Sequence, residues 1–523
     1  MQRKNILWID DEIEFFRAHI MFLEARGYSV TPLYSGYDGL SALHKNHNLY
    51  DIVLLDEQMP GKDGLSVLNE IKEFLPDLPV VMVTKSEEED VMERAIGKKI
   101  DGYLTKPVNP SQILTVCKKL LGSQEILSNQ VKNAFVKNYS EIRAKLQSDV
   151  TYKEWVKIYQ QIVKMELDTQ EIEDETLRQK HYTQKIEANE KFADFLMQNY
   201  PGWLINPHVD GKPVIANELL EKHILPEIKK DEKFALVIFD SLQLCQFVVI
   251  QRFLRKIFRC SEICFYLSTV PTTLPHALSS LLTGLLPKDF ASQRPDLWEA
   301  LSSNSNVWEE TARFGLKRLN CEKNVSFYNI LKDNTSCEDI VSRMLKENNF
   351  SIIFADFLDL ISLNKQNKIM RDMISSGKAF RDMTSMWFEK SDFYKLLKLM
   401  CENNITVALT SSAGNILCSS SADHYGKHSG YSNMRFRSGE FMFSDTRTGY
   451  YVANPAEYGL PSKNENTSFN VLRGNYCFTG HGSYYDNMKK QLYFFERGGV
   501  SLEESIVPFA IFRTKQNENA EIL

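Results

Sequence analysis

The N-terminal fold is decided by residues 54–64, which read Leu54-Leu55-Asp56-Glu57-Gln58-Met59-Pro60-Gly61-Lys62-Asp63-Gly64. This stretch begins inside an apolar run, residues 52–55, that has the length and composition of a buried β-strand. Similar runs occupy residues 6–9 and 80–83, and amphipathic segments separate them. Such alternation is typical of a parallel sheet with crossover helices. The sequence therefore predicts an α/β fold here, a flavodoxin-like doubly wound parallel sheet.

Charged and hydroxyl side chains stand where the predicted strands end. Asp10 and Asp11 follow the first run, Asp56 and Thr84 end two later ones, and Lys106 follows the last. We expect these five side chains to meet, because the carboxyl ends of parallel strands share one crevice. Clustered carboxylates repel one another, and Mg²⁺ offsets that repulsion while also binding phosphoryl oxygens. The pattern thus predicts phosphoryl transfer to Asp56, with Lys106 and the Thr84 hydroxyl contacting the transferred group.

These motifs resemble the receiver family of two-component response regulators. The resemblance rests on residues 8–12, 54–64, 83–85 and 103–107. It implies a phosphorylation site at Asp56, a set of Mg²⁺ ligands and a conformational switch. The implied ligands are Asp11 and Asp56 directly, Asp10 through water and the Gln58 carbonyl, and the implied switch pair is Thr84 with Tyr103, beside Lys106.

Bulk properties exclude several classes of protein. With 523 residues the chain is expected to form two or three globular domains, and its net charge of −6 gives no general field for binding DNA. Nine cysteines without a Cys-x-x-Cys pair favour a reducing compartment, and no signal peptide or membrane span is evident. We therefore predict a cytoplasmic protein that does not bind DNA directly.

The chain divides into three predicted domains. Residues 1–122 form the receiver, residues 123–205 have the helical periodicity of a bundle or connector, and residues 206–523 return to strand-like runs. Residues 413–496 are rich in Gly, Ser, Asn and Tyr, which predicts hairpins appended to this last, larger α/β domain.

A second set of candidate residues follows strand-like runs in the C-terminal domain. Asp240, Thr272, Thr273 and Asp356 stand where α/β crevices form. A strand-end carboxylate beside a hydroxyl group could prepare a metal-activated nucleophile for phosphate-ester chemistry. The same residue types also cap helices, so the pattern alone leaves both interpretations open.

The C-terminal sequence resembles the PglZ domain of the alkaline phosphatase superfamily. The resemblance rests on residues 238–241, on 268–273 leading to 283–287, and on 498–504 before Pro508. The order of receiver, helical segment and PglZ domain resembles the PorX family of response regulators, which is linked to type IX secretion. For this domain the resemblance implies an α/β/α fold.

The resemblance also implies a metal site that this chain has largely lost. Active members of the superfamily hold two zinc ions with carboxylates and histidines around a threonine nucleophile. Asp240 and Asp356 match two of the carboxylates, but the remaining ligand or nucleophile positions hold Leu274, Leu360, Ser412, Ala413 and Arg497. Zinc normally takes three or four protein ligands, so we expect zinc to be absent from the PglZ domain.

Other residues leave alternatives open. A shift of one or two positions in the spacing from Pro271 would make Thr273 or Thr272 the nucleophile instead of Leu274. The histidines at 424, 428 and 481 could replace lost ligands, although loop histidines are more often surface groups. The basic and aromatic residues 434–437 could contact single-stranded nucleic acid, but an ordinary hairpin face is favoured.

Two functions are compatible with these residues. The favoured one is a response regulator that signals through a catalytically inactive PglZ-like binding or dimerisation module. The alternative is a metal-dependent phosphodiesterase or phosphatase acting on nucleotides or oligonucleotides under receiver control. The resemblance implies a sensor histidine kinase, an extracytoplasmic-function sigma factor and type IX secretion components as partners, with homodimerisation on phosphorylation.

Overall fold

The structure is a computed structural model. It describes residues 3–46, 49–85, 100–172, 174–230, 232–303, 305–321, 325–333, 335–346, 349–363, 373–423, 425–462, 464–478 and 494–515. These residues divide into two compact units, one within residues 1–134 and the other within residues 135–523. No helix among them combines the length and the apolar character that a membrane crossing needs.

The first unit is built on a five-stranded parallel sheet. The strand order is β2-β1-β3-β4-β5. Its strands are β1 (Lys4–Ile9), β2 (Tyr28–Leu33), β3 (Ile52–Asp56), β4 (Val80–Thr84) and β5 (Gly102–Thr105), and its described crossover helices are α1 (Arg17–Glu24), α2 (Gly36–Lys45) and α3 (Gly64–Phe74). The predicted flavodoxin-like α/β fold is confirmed.

Alternate residues of the central strands point to opposite faces of this sheet, and both faces are buried. One hydrophobic layer includes Ile6, Trp8 and Leu54, and the other includes Leu7, Ile9 and Val53. Burial on both faces explains why these strands are continuous apolar runs.

Three long helices follow the receiver sheet: α4 (Pro110–Lys145), α5 (Tyr152–Gln170) and α6 (Glu175–Ile205). Helix α4 contains the boundary between the two compact units. The predicted boundary at 122/123 lies inside α4, whereas the two compact units meet at 134/135. Capping is local: the Thr151 hydroxyl accepts from the Glu154 amide, and the Glu154 carboxylate accepts from the Thr151 amide, so that α5 begins with a capping box.

The second unit contains a six-stranded mixed sheet of order β7-β19-β10-β6-β9-β8. Strands β10, β6, β9 and β8 are parallel, while β19 runs antiparallel to β10 and to β7. The strands are β6 (Phe234–Phe239), β7 (Phe258–Leu267), β8 (Val325–Asn329), β9 (Phe350–Ala355), β10 (Thr406–Thr410) and β19 (Ile506–Thr514).

Helices surround this sheet, and the hydrophobic core beneath them includes Leu236, Ile352, Phe509 and Ile511. The helices are α7 (Ala216–Leu219), a π-helical turn (Leu220–Ile224), α8 (Leu225–Ile228), α9 (Leu244–Ile257), α10 (Leu274–Thr283), α11 (Pro287–Gln293), α12 (Pro295–Ser302), α13 (Trp308–Arg318), α14 (Cys337–Lys346), α15 (Phe357–Leu363), α16 (Gly377–Lys390), α17 (Asp392–Glu402) and α18 (Leu502–Ser505).

Short strands form three small sheets between β10 and α18, as the composition of residues 413–496 predicts. Their orders are β11-β18, β12-β17 and β13-β14-β16-β15. The strands are β11 (Ile416–Cys418), β12 (Ser420–Ala422), β13 (Tyr425–Ser432), β14 (Phe436–Phe443), β15 (Gly449–Val452), β16 (Ser468–Leu472), β17 (Tyr476–Phe478) and β18 (Phe494–Glu496).

Candidate functional sites

The receiver crevice brings together the charged residues predicted from the sequence. Lys106 Nζ lies 2.9 Å from Asp10 Oδ2 and 3.0 Å from Asp56 Oδ1. Carboxylate oxygens of Asp10, Asp11 and Asp56 lie within 4.8 Å of one another. Asp10 and Asp56 are buried, whereas Asp11 is exposed. In the part of the crevice that the structure describes, three carboxylates therefore lie close together beside the Lys106 ammonium group.

Burial and repulsion make Asp56 a weaker acid than an ordinary aspartate. Its pKa is raised to about 6, first by burial and then by the charge of Asp10, while Lys106 works in the opposite direction. A second cation would therefore stabilise the ionised form of Asp56.

The turn after Asp56 is tight because Gly64 packs directly on the backbone. A Cβ at Gly64 would lie 2.1 Å from the Asp56 carbonyl oxygen, so a larger residue does not fit. The Gly64 amide donates to the Glu57 carbonyl at 2.8 Å, which closes the loop from β3 to α3. This packing fixes the position of Asp56 at the mouth of the crevice.

A cavity of about 500 Å³ opens beside this cluster and is lined in part by Asp11 and Gln58. The residues present fit Mg²⁺, which prefers oxygen ligands and keeps several waters. Asp10, Asp11 and Asp56 would hold the ion, and the cavity leaves room for its waters.

The proposed switch residues lie beside the crevice. The buried Thr84 hydroxyl donates a hydrogen bond to the Glu57 carboxylate. Tyr103 is half-buried and packs on the core that includes Leu55 and Met82. Glu57 as the partner of Thr84 was not predicted, because the sequence does not show which way a side chain beyond the strand end points.

In the second unit, Asp240 and Asp356 follow the adjacent parallel strands β6 and β9, as predicted. Asp240 is 1 % exposed. Its Oδ1 accepts from the Ser412 hydroxyl at 2.5 Å and from the Ser412 amide at 3.3 Å. Its Oδ2 lies 2.7 Å from Arg497 Nη1.

Arg497 joins Asp240 to a second carboxylate, Asp359. Arg497 Nη2 lies 3.0 Å from Asp359 Oδ1, which also accepts from the Ser241 hydroxyl at 3.0 Å. The pKa of Asp359 is raised by burial, although Arg497 counteracts this. We call Asp240, Asp359, Arg497, Ser241 and Ser412 the Arg497 cluster. The sequence does not single out Asp359, because no motif distinguishes it from other acidic residues at a helix start.

Asp356 is turned to a different partner. Its Oδ2 lies 2.8 Å from Lys332 Nζ. Leu360, at the position where the resemblance implies a histidine, is 48 % exposed, and Ala413 is fully buried. Neither Leu360 nor Ala413 carries an atom that can bind a metal ion.

The candidate nucleophiles are engaged in structural hydrogen bonds. The Thr272 hydroxyl donates to the Gly499 carbonyl at 2.9 Å and accepts from the Gly498 amide at 3.0 Å. Thr273 precedes α10, and its hydroxyl is hydrogen-bonded to His276 Nδ1. Burial lowers the pKa of His276 to about 3. Leu274 is half-buried and packs against the core of the large sheet.

Among the described residues, two groups place three metal-ligating atoms within 4.8 Å. They are Asp10, Asp11 and Asp56, and separately His223, Glu262 and Cys264. Neither group includes Asp240 or Asp356.

The hairpin region contains the alternative histidine ligands and the basic residues 434–437. His424 and His481 lie outside the described residues, as does the side chain of His428. Arg435 is fully buried, with Nε 2.8 Å from Glu504 Oε1. The idea that residues 434–437 form a basic surface for nucleic acid is therefore wrong at Arg435, whose charge is neutralised inside the fold.

Three family models match this chain. The response regulator receiver domain matches residues 6–118, the PorX response regulator linker domain matches 125–204, and the BREX system PglZ alkaline phosphatase-like domain matches 219–512.

Curated relatives share the receiver region. A CpxR homologue described as a transcriptional regulatory protein from Haemophilus influenzae is 31 % identical over 140 residues, which cover 26 % of this chain and 59 % of the relative. The regulatory protein BaeR of Escherichia coli O6:H1 is 35 % identical over 119 residues, which cover 22 % and 48 %. The chain thus spans about half the length of the curated relatives it matches.

Solved structures match over the same share of the chain. A CheY-like receiver domain from Methanospirillum hungatei is 27 % identical, with a TM-score of 0.22, and covers 24 % of this chain and 97 % of that one. A receiver domain from Clostridium thermocellum is 29 % identical, with a TM-score of 0.23, and covers 24 % and 98 %.

A receiver, a linker and a phosphatase-like domain in this order define a two-component response regulator with a phosphatase-like C-terminal domain. The chain belongs to the PglZ family, whose model covers more than half of it, and within that family it is a PorX-like response regulator.

Proposed function

We propose that this response regulator is phosphorylated on Asp56 and that its PglZ domain is a non-catalytic binding and dimerisation module. Support for the first part comes from the receiver crevice, where Lys106 contacts both Asp10 and Asp56. Support for the second part comes from the Arg497 cluster, where a guanidinium group binds the carboxylates.

In the receiver, the Asp56 carboxylate attacks the phosphorus atom of a phosphodonor such as a histidine kinase, and the donor's bond to phosphorus breaks. Mg²⁺ bound by Asp10, Asp11, Asp56 and the Gln58 carbonyl would neutralise charge on the phosphoryl oxygens. Lys106 already lies 3.0 Å from Asp56 and can contact the new phosphoryl group. Thr84 would then exchange its hydrogen bond to Glu57 for one to phosphate, and Tyr103 would follow.

The observation that carries the proposal for the output domain is the position of Arg497. Its two terminal nitrogens bind Asp240 and Asp359 at 2.7 and 3.0 Å. Arginine has no lone pair for a metal ion and stays protonated in proteins. A zinc ion at Asp240 would have to displace the Arg497 guanidinium group or bind beside its positive charge.

The remaining donors do not fit a pair of zinc ions. Asp356 is paired with Lys332, and the other implied positions offer a serine, an alanine and a leucine. Zinc sites use at least three carboxylate, imidazole or thiolate ligands. The two threonine hydroxyls are also committed to Gly498, Gly499 and His276.

Hydrolysis of bis(p-nitrophenyl) phosphate and of short oligonucleotides, with zinc in excess, tests this proposal. The matched control is Asp240→Asn, which keeps the shape of the side chain and removes its charge. We expect wild type and variant to show the same background rate. Turnover that depends on Asp240 would contradict the proposal and establish the alternative, a metal-dependent phosphodiesterase under receiver control.

The partners follow from the family as proposals. They are a sensor histidine kinase, an extracytoplasmic-function sigma factor and components of type IX secretion. We also propose that phosphorylation produces a homodimer. Analytical ultracentrifugation with beryllofluoride and Mg²⁺ should then show twice the monomer mass, and Asp56→Asn should stay monomeric. An unchanged mass in wild type would contradict dimerisation without affecting the phosphorylation site.

A further inference from the structure

A second group of metal-ligating side chains lies at the edge of the large sheet, away from the Arg497 cluster in the sequence. His223 belongs to the π-helical turn Leu220–Ile224, and Glu262 and Cys264 belong to β7. β7 is the edge strand and pairs with β19 alone among the described strands of its sheet. Residues two apart on a strand point to the same face, so Glu262 and Cys264 both face the helical side that carries His223.

Packing holds the three residues in place. Cys264 packs against the core that includes Phe509 and Ile224. The His223 ring lies 5.6 Å from the Phe509 ring, measured between centroids. The next residue on the same face of β7, Tyr266, is fully buried. The group is therefore anchored on its inner side by the core.

The distances are those of a site that needs little adjustment. His223 Nδ1 lies 3.4 Å from Glu262 Oε1, and ligand atoms of all three residues lie within 4.8 Å of one another. Nitrogen and oxygen ligands on one tetrahedral zinc ion lie roughly 3.3–3.6 Å apart, given bond lengths of about 2.0–2.2 Å. The His–Glu pair already has that separation, and the Cys264 thiol lies within 4.8 Å of both.

The donor set selects a class of metal. An imidazole, a thiol and a carboxylate together suit zinc and similar thiophilic divalent ions, and they disfavour Mg²⁺ and Ca²⁺, which take oxygen ligands. The side chain of Glu262 is 46 % exposed and that of His223 is 23 % exposed, so water can supply a fourth ligand. We propose that His223, Glu262 and Cys264 bind one zinc-class ion per chain.

Charge balance is compatible with a divalent ion at this place. When the ion binds, the Cys264 thiol gives up its proton, and the resulting thiolate and the Glu262 carboxylate balance the two positive charges. The site shares no residue with the receiver crevice or the Arg497 cluster, so it does not rest on the proposed function. It lies within residues 219–512 and would therefore place a zinc ion in the PglZ domain, where the lost ligand positions alone predict none.

Zinc content of the full chain tests the inference. The protein is stripped with EDTA, incubated with excess zinc sulfate, desalted and measured by inductively coupled plasma mass spectrometry. We expect about one zinc per chain in wild type, Asp240→Asn and Cys260→Ser, and a loss of at least about tenfold in Cys264→Ser and His223→Gln. Cys260→Ser is the matched control, because Cys260 lies on the same strand outside the group.

Each other outcome overturns the inference. Wild type without zinc would show that the group is an ordinary His–Glu hydrogen bond beside a thiol. Zinc retained in Cys264→Ser would place the ion elsewhere. Zinc lost in Asp240→Asn alone would instead revive the phosphodiesterase alternative.

A second measurement does not depend on the variants folding. Adding cobalt(II) to wild type should produce the near-ultraviolet absorption of a cobalt–thiolate bond, and zinc should abolish it. No such band would overturn the inference.

Discussion

Asp56 and Asp240 are both buried carboxylates at the end of a parallel strand, but their neighbours differ. Asp56 shares Lys106 with Asp10, and its pKa is raised to about 6. Asp240 receives two hydrogen bonds from Ser412 and an ion pair from Arg497. In the receiver crevice, Lys106 is shared by two buried carboxylates that lie beside a cavity. In the Arg497 cluster, the guanidinium group contacts both Asp240 and Asp359.

Asp56→Asn should stabilise the receiver at high pH. Because the folded-state pKa of Asp56 is raised from 3.8 to about 6, its favourable contribution is complete below about pH 4 and is lost as the pH rises through 6. We expect the advantage of the variant in urea unfolding with EDTA to be larger at pH 8 than at pH 4 by about 1–2 kcal/mol, allowing for solvent screening. Asp77→Asn, in an exposed turn, should show no such difference. An equal advantage at both pH values would contradict the raised pKa.

Arg497→Met should destabilise the second unit by about 3–5 kcal/mol at pH 8, because it leaves Asp240 and Asp359 buried without a cation. The penalty should shrink at pH 5, since burial raises the pKa of Asp359 and its carboxyl group can protonate once Arg497 is gone. Adding Asp240→Asn to this variant should recover part of the loss. Chemical denaturation monitored by circular dichroism measures all three effects.

The control for that experiment is Arg447→Met. Arg447 pairs with Asp445, and its side chain is 86 % exposed. Surface pairs contribute about 0–1 kcal/mol, so this change should be small. Similar losses in both variants would show that the Arg497 cluster is not a special source of stability.

The candidate sites could be predicted from sequence only where a local motif marks the residue. Asp10, Asp56 and Lys106 stand beside strand ends and were found to meet. Asp359 and Lys332 were missed, because their positions depend on how helices and loops far apart in sequence pack. The residues at the implied ligand positions, Leu360, Ala413 and Arg497 among them, can be read from the sequence, but not that Arg497 would bind Asp240.

At the scale of elements, helix α6 is held to the PglZ domain by buried polar contacts. Asn189 Oδ1 accepts from the Leu502 amide at 2.8 Å, and Asn189 Nδ2 donates to Glu503 Oε2 at 2.9 Å. Lys185 Nζ lies 3.0 Å from Glu503 Oε1. The Asn189 side chain therefore hydrogen-bonds both the Leu502 amide at the start of α18 and the Glu503 carboxylate.

Asn189→Ala should destabilise the second unit by about 1–3 kcal/mol, because it leaves buried partners without hydrogen bonds. Hydrogen exchange at the Leu502 amide should become faster together with exchange in α6. Asn199→Ala is the control, since that side chain bonds only to the Phe195 carbonyl one turn away in the hydrogen bonds described. Unchanged exchange at Leu502 would show that Asn189 does not hold the two elements together.

Strands were predictable where they contain apolar runs. The runs at residues 235–239, 263–267, 352–354 and 405–409 predict β6, β7, β9 and β10. β6, β9 and β10 are parallel and fully buried along their length, whereas β7 is an antiparallel edge strand that is only partly buried. β8 and β19 were missed. β8 is only partly buried at its first three residues, and β19 contains Pro508 and pairs antiparallel with strands from earlier in the chain. A proline within an apolar run normally argues against a central strand, so Pro508 hid β19 in the sequence pattern.

At the scale of the whole molecule, the division at residues 134 and 135 implies two separately cooperative cores. Each unit has its own sheet and its own hydrophobic clusters. A ligand that binds only the folded receiver should therefore stabilise that unit by mass action and leave the other unit unchanged.

Differential scanning calorimetry of the full chain tests this division. We expect two heat-absorption peaks, with beryllofluoride and Mg²⁺ raising the midpoint of one by several degrees, roughly the effect of about 1–3 kcal/mol on a domain of this size. Asp56→Asn should abolish that shift, since it removes the carboxylate that the beryllofluoride binds. Arg497→Met should lower only the other peak, because its partners Asp240 and Asp359 lie in the second unit. A single peak that responds to both changes would show that the two cores unfold together, and the output module would then be coupled to the receiver through stability as well as through phosphorylation.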